Sequence, residues 1–383
     1  MLYIFILSAF IILHTYLFYP FLLWILDKFF LEDEKEEENT DYFPEVSILI
    51  PAFNEEKIIK RKIENLKSLD YPVEKMEVII ASDGSTDNTN QIIEENICSL
   101  FKFMRFNERK GKSSILNKLV EEAGSSIIVF SDASTIYRKN TLKELIKKFK
   151  DPDVGGVCGN LIFINNNLEK ISINDKIYAQ SEKLYWRFEK FLRYVEGKIG
   201  NLMGNSGAVY ALRAELVKNL SDRIINDDIV LFFSVLKKDY KLKYQRSAEA
   251  YEKIADDFDE EFKRKVRIGS GDYQALSILK ELLFKNFKVS FAFWSHKVFR
   301  WLTPFALLFL LISNMFLYTR NIFFSITLFL QSAAYLNSLI IHFGKNRKRK
   351  SCKTYIIYYF LVMNLALLIG FIKFVFNKHN VKW

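Results

Sequence analysis

Apolar positions collect at the two ends of this chain, around a middle where short β-branched runs alternate with helical periodicity. Residues 2–26 carry almost no charge and are long enough, as a helix, to cross a ~30 Å hydrocarbon core. A cleaved signal peptide is the alternative. The missing basic n-region and small-x-small site, and the length of the apolar run, argue against it. The stretch 28–45 holds Glu32, Asp33, Glu34, Glu36, Glu37 and Glu38. Such like charges repel, so a solvated acidic linker is expected. In the middle, runs at 46–50, 78–81 and 127–130 read as strands, each followed by helical periodicity at about 56–69, 87–98 and 112–123. Alternation of this kind predicts one α/β domain over 46–273 with a mostly parallel sheet. A longer helical span, about 172–196, interrupts it. Residues 274–298 place Lys280, Lys285, Lys288 and Lys297 among Leu, Phe and Trp294, the pattern of an amphipathic helix in the headgroup layer. An ordinary packed helix is the alternative. Residues 299–383 contain three further spanning candidates, 299–318, 322–343 and 354–376. Lys373 sits near the end of the third, where it can snorkel.

Half of the 383 residues are hydrophobic and 16% are aromatic, which is rich for a soluble protein and agrees with membrane segments flanking a soluble body. The basic segment 344–350, GKNRKRK, joins the last two spanning candidates, and the positive-inside rule puts it in the cytosol. Counting back, the α/β domain is cytosolic and Met1 outside, in a multi-pass protein of the plasma membrane. Cys98, Cys158 and Cys352 lie far apart without CxxC spacing, so neither a disulfide framework nor a zinc site is expected.

In a parallel sheet, ligands bind beyond the carboxyl ends of strands. The first strand ends in Pro51-Ala52-Phe53-Asn54-Glu55-Glu56 and the second in Asp83-Gly84-Ser85-Thr86-Asp87. Carboxylates there can accept the N–H of a uracil ring and ribose hydroxyls, or merely cap a turn and a helix. The third ends in Asp132-Ala133-Ser134, where a carboxylate can hold a divalent cation against a diphosphate. Arg109-Lys110-Gly111-Lys112-Ser113 precedes a helix and suits a phosphate; a solvated basic turn is the alternative. Asp227-Asp228 places two carboxylates side by side, and crowding of that kind raises a pKa and makes a proton acceptor. Arg264 and Arg267 can neutralise a departing diphosphate, or touch headgroups. The net charge of +10 fits anionic lipids and an anionic sugar nucleotide better than nucleic acid, because the basic residues cluster at the predicted membrane boundaries.

The ordered set PAFNEE, ASDGSTD, GKSSILN, FSDAS, GNSGAVYALR, NDD and RKVRI resembles the membrane-bound branch of family 2 glycosyltransferases, with cellulose, hyaluronan and poly-N-acetylglucosamine synthases, over about 46–271. That resemblance implies a GT-A, Rossmann-like fold and an inverting single displacement using Mg2+ or Mn2+. It implies a uridine-binding role for Asp83 and a metal-binding role for Asp132, with Ser134 or water in the place of the missing second aspartate of DxD. It makes Asp228, beside Asp227, the catalytic base, and Arg267 the diphosphate-holding arginine of a QxxRW signature. Pro51, Asn54, Glu55, Lys112, Gly207 and Arg264 fall among the donor- and acceptor-side residues. Ile268 stands where QxxRW has Trp, which weakens the case for a long polymer. The expected partners are a UDP-sugar, a lipid-linked or glycan acceptor and membrane lipids. A secreting channel usually needs more than four helices unless the chain dimerises. A non-catalytic scaffold that retains the fold is the remaining alternative.

Overall fold

The computed structural model describes residues 1–32, 42–164, 173–221, 223–253, 258–343 and 352–377. Part of the expected acidic linker, 33–41, and the 344–350 loop that carries the topology argument lie outside the described residues. Eight strands form one sheet: β1 Val46–Ala52, β2 Met76–Asp83, β3 Phe101–Phe106, β4 Ile127–Phe130, β5 Ile136–Tyr137, β6 Val154–Ile164, β7 Tyr210–Arg213 and β8 Lys241–Lys253. Their order is β3-β2-β1-β4-β7-β6-β8-β5. The first four run parallel. β7 then enters antiparallel between β4 and β6, and β8 lies parallel to β6. The sheet is therefore mixed, and β1, β2 and β4 of its parallel half are the strands the sequence pattern predicts, whereas β3 is not among them.

Alternation along the parallel strands sorts side chains to two faces. Val46, Ile48 and Ile50 pack with Ile59, Ile63 and Leu66 of helix Ile59–Lys67. Leu49 and Ile79 pack on the other face with Ile115, Leu116 and Leu119 of helix Lys112–Glu122. Helices on both faces leave the carboxyl edge of the sheet open, and that edge holds the candidate site.

Among the described residues, four helices are long and apolar enough to cross a membrane: Leu2–Phe29, Phe287–Leu317, Ile322–Phe343 and Tyr355–Val375. The stretch 274–298 is not one amphipathic helix. It is shared between the end of helix Phe258–Ile278, a 3-10 turn Lys280–Phe284, and the first turns of the second long apolar element, Phe287–Leu317. Asn286 caps that element's start by accepting the Val289 N–H at 3.0 Å. With 31 residues, Phe287–Leu317 spans roughly 46 Å at 1.5 Å per residue, more than a hydrocarbon core.

Two connections tie the sheet domain to these helices. The carboxylate of Glu196, on helix Ile173–Ile199, accepts the Tyr19 hydroxyl at 2.8 Å and the Met203 N–H at 2.9 Å, and lies 2.6 Å from His296 Nδ1. Helix Phe258–Ile278, which carries Arg264 and Arg267, meets helix Cys352–Val375 through glycine. A Cβ on Gly370 would come within 2.7 Å of Ser270 N, so the two backbones approach only because neither Gly269 nor Gly370 has a side chain.

Candidate active site

The sheet order places β2, β1 and β4 side by side, so the loops after them share one edge. Pro51 is buried at the end of β1. Asn54 follows at φ +55°. Its side-chain oxygen accepts the Thr86 N–H at 2.9 Å and its own N–H donates to Ser85 Oγ at 3.1 Å, which stitches the loop after β1 to the loop after β2. Glu55 donates its N–H to Thr89 Oγ1 at 2.7 Å. Burial, helped by the charges of Asp132 and Asp87, pushes its carboxyl up to about 7.

Asp83 is fully buried, and its two oxygens accept the N–H groups of Lys110 and Gly111 at 2.6 and 2.9 Å. This carboxylate holds the turn that aims Lys112. The Lys112 ammonium donates to Asp132 Oδ1 at 2.9 Å and lies 3.8 Å from Asp227 Oδ2. Burial opposes its charge, but Asp132, Asp227 and Asp228 outweigh burial and hold it above the usual lysine value. Asp132 moves the other way. Burial alone would raise it, yet Lys112, with Lys62 and Arg264 beyond, keeps it below the ordinary aspartate value.

Asp227 and Asp228 open helix Asp227–Ser234. Burial, reinforced by Asp228 and Asp132 against Lys112, pushes Asp227 up to about 6. Burial also raises Asp228, with Asp132 adding and Lys112 and the Ile229 N–H opposing. The two acids differ in access: Asp227 turns to Lys112 and is buried, whereas Asp228 is half-buried beside Gly207. A Cβ on Gly207 would stand 3.2 Å from Asp228 Oδ2. Arg267 lies within the fields of Asp227, Asp228 and Asp132, and Arg264 within those of Asp132 and Glu252. Ser134 donates to Glu252 Oε1 at 3.3 Å. The structure therefore gathers Glu55, Lys112, Asp132, Asp227, Asp228, Arg264 and Arg267 into one charged bowl, with Gly207 and Ser134 on its wall. Asn54 and Asp83 shape the loops beneath.

Residues 47–220 match the family model for glycosyl transferase family 2. The chain carries a family 2 glycosyltransferase domain. A poly-beta-1,6-N-acetyl-D-glucosamine synthase of Staphylococcus aureus is 27% identical over 251 residues, which is 64% of this chain and 58% of that protein. The chain thus spans less than two thirds of the length of that relative. Among solved structures, a mannosyltransferase from Pyrobaculum calidifontis in complex with GDP-Man and Mn2+ matches with a TM-score of 0.71, covering 98% of this chain and 99% of that one at 19% identity. That likeness is one of fold, and the transferase domain has the GT-A fold.

Three residues at the site are not singled out in the sequence, although one of them, Tyr210, lies inside the GNSGAVYALR motif. Lys62 is fully buried; its ammonium donates to Ser131 Oγ at 2.7 Å and Thr135 O at 2.6 Å and lies 4.4 Å from the centre of the Tyr137 ring. It braces the loop that presents Asp132. A signal was there: position 62 falls on the apolar stripe with Ile59, Ile63 and Leu66, where a solvated lysine does not belong. Tyr210 is buried, and its hydroxyl has no hydrogen-bond partner among the described residues, although it stands in the fields of Asp227, Asp228 and Asp132. Glu252 is the penultimate residue of β8, a strand whose many charges hide its β pattern.

Two expectations follow from this geometry. Gly207→Ala pushes Asp228 by a few tenths of an ångström; since a ~1 Å misplacement costs about 100-fold, turnover falls about tenfold with the fold intact, checked by steady-state kinetics against melting temperature. The second concerns pH. Glu55 and Asp227 bind protons more tightly folded than unfolded, and Asp272, buried and raised to about 7 on the neighbouring helix, acts in the same sense. Between their ordinary values near ~4 and these folded values, folding takes up protons, so stability rises as pH falls. Burial pushes Lys62 down to about 7, and it acts only above that. The ligand-free protein in detergent should melt higher at about pH 5 than at about pH 6.5; an equal or lower melting point at the lower pH contradicts this.

Proposed function

We propose that the chain is an inverting glycosyltransferase that moves a sugar from a UDP-sugar to a lipid-linked or short glycan acceptor at the cytosolic face of the plasma membrane. The supporting observation is the convergence on Lys112 of acids from two distant parts of the chain, Asp132 and the pair Asp227-Asp228, at the open edge of the sheet and beside long apolar helices. In this reading the Asp83-held turn seats the uracil. Lys112, Arg264 and Arg267 bind the diphosphate.

Asp132 and Ser134 supply oxygen ligands of the kind Mg2+ and Mn2+ prefer. The acids of the bowl outnumber its cations, and the raised proton affinities of Glu55 and Asp227 mark negative charge that a cation would offset. Among the described residues no three His, Cys, Asp or Glu form a ready metal cage, so diphosphate oxygens and water would have to supply the remaining ligands, as is usual for Mg2+. When bound, the cation supplies Lewis-acid stabilisation of the charge growing on the leaving diphosphate.

Asp228 takes the proton of the acceptor hydroxyl. That oxygen attacks the anomeric carbon from the face opposite UDP, the bond from carbon to diphosphate oxygen breaks, and UDP leaves. A single carboxylate base fits inversion without a covalent sugar–enzyme intermediate.

The name of the Staphylococcus aureus relative favours a second reading, a processive synthase. Purified full-length protein supplied with Mn2+ or Mg2+ and a panel of UDP-sugars, with GDP-Man included because of the solved neighbour's ligand, distinguishes them. Single addition to a lipid-linked acceptor supports the first reading and a ladder of long products the second. Absence of nucleotide release with every donor leaves only a fold kept without catalysis.

A further inference from the structure

The motif Asp132-Ala133-Ser134 has a hydroxyl where the DxD pattern of the family it resembles has a second carboxylate, yet a carboxylate from elsewhere in the chain meets that hydroxyl. β8 pairs with the short strand β5, with Ile136 opposite Tyr251. This register delivers the next residue, Glu252, to the loop after β4, where Ser134 Oγ donates to its Oε1 at 3.3 Å. Ser134 and Glu252 share the wall of a cavity of about 180 Å³ with Ile58 and Arg61. Glu252 is half-buried and lies in the fields of Asp132 and Arg264. Two carboxylates separated by 120 positions in the chain, from 132 to 252, thus lie within each other's electrostatic field, with Glu252 on the hydroxyl of Ser134, two residues after Asp132.

We propose that Glu252 is the second protein carboxylate of the divalent-cation site, acting across Ser134 in place of the acid absent from the motif. This rests on the transferase reading, since the cation is there to hold a diphosphate. Charge supports the assignment. Asp132 with a neutral serine offers a dication one negative charge, and Asp132 with Glu252 offers two. The diphosphate's own charge is then left for Lys112, Arg264 and Arg267. The site also has the oxygen-only donor set that Mg2+ and Mn2+ take, with room for water between the ligands.

A purely structural Glu252 would only orient Ser134, and Gln can do that, because its amide oxygen still accepts the hydroxyl. Glu252→Gln therefore removes the charge and keeps the hydrogen bond. The test titrates Mn2+ into full-length protein in detergent with saturating UDP and reads free Mn2+ by electron paramagnetic resonance. The wild type should bind Mn2+ in a UDP-dependent way. Glu252→Gln should bind it about 10–100-fold more weakly, the cost of losing a group that supports a metal site, with an unchanged melting temperature without metal. Ser134→Asp in the Glu252→Gln background should restore most of the affinity by returning the acid to the motif. Wild-type affinity in Glu252→Gln overturns the proposal. So does a loss that Ser134→Asp leaves unrepaired in a double variant melting like wild type. A wild type that binds UDP without Mn2+ overturns the cation part of the transferase reading itself, which separates the two failures.

Discussion

Asp228→Asn is expected to lower kcat by about 1,000-fold, within the 10²–10⁴ range of general acid–base contributions, while donor binding stays nearly unchanged. The substitution keeps the shape of the side chain and the Asn205 contact to the Asp228 carbonyl but removes the proton acceptor. Asp228 suits this role better than its neighbour because it is the more open of the two, beside Gly207, whereas Asp227 is turned into the Lys112 contact. Asp227→Asn should therefore cost less in turnover. The pH profile carries the sign. A base must be deprotonated, and burial raises the proton affinity of this one, so the acid limb of kcat should lie above the ordinary aspartate range and disappear in Asp228→Asn. Calorimetric UDP binding paired with single-turnover transfer checks both parts. Turnover in Asp228→Asn within about tenfold of wild type sinks the base assignment.

Most of the parallel half is legible in the sequence because β1, β2 and β4 are short apolar runs closed by polar turns and each helix between them has an apolar stripe; β3 is not, because it sits at the sheet edge and carries Lys102 and Arg105. The other half is not. β6 contains Gly155, Gly156 and Gly159, which weaken a strand pattern. They are there because neighbours crowd that face: a Cβ on Gly155 would come within 2.6 Å of Leu216 and Val235 side chains. β8 carries Lys, Glu and Arg along both its faces, and only the register with β6 and β5 shows it as a strand. Site legibility divides the same way. Acids at strand ends announce themselves, since a carboxylate at the open edge of a parallel sheet has few other uses. Lys62 and Glu252 do not, because each acts on the loop after β4 from an element that pattern alone places elsewhere. Asp83 shows a different limit. Its motif marks it as a ligand residue, but the first partners the structure gives it are the backbone amides of Lys110 and Gly111.

Lys112→Met tests whether the bowl depends on one cation, and it should fail in two measurable ways. Without the ammonium, Asp132 loses its 2.9 Å partner and Asp227 its nearest positive charge. Breaking a fully buried pair by removing one partner costs about 3–5 kcal/mol; with Lys112 and Asp132 partly open to solvent, about 2 kcal/mol is expected at neutral pH. For a domain of this size that is about 5 °C of melting temperature. The loss should shrink as pH falls, because Asp227 already titrates at about 6 and, freed from Lys112, takes its proton at a higher pH still. Activity should fall further than stability. In the proposed reading Lys112 binds the diphosphate, and removing one such donor typically costs about 10²–10³ in kcat. Lys112→Arg keeps a positive charge but not the compact ammonium that fits between Asp132 and Asp227, so it should recover stability more fully than turnover. Thermal melts across pH, run beside kinetics for both variants, separate the two effects. A Lys112→Met protein that melts and turns over like wild type shows that the acids of the bowl are not held together by this lysine.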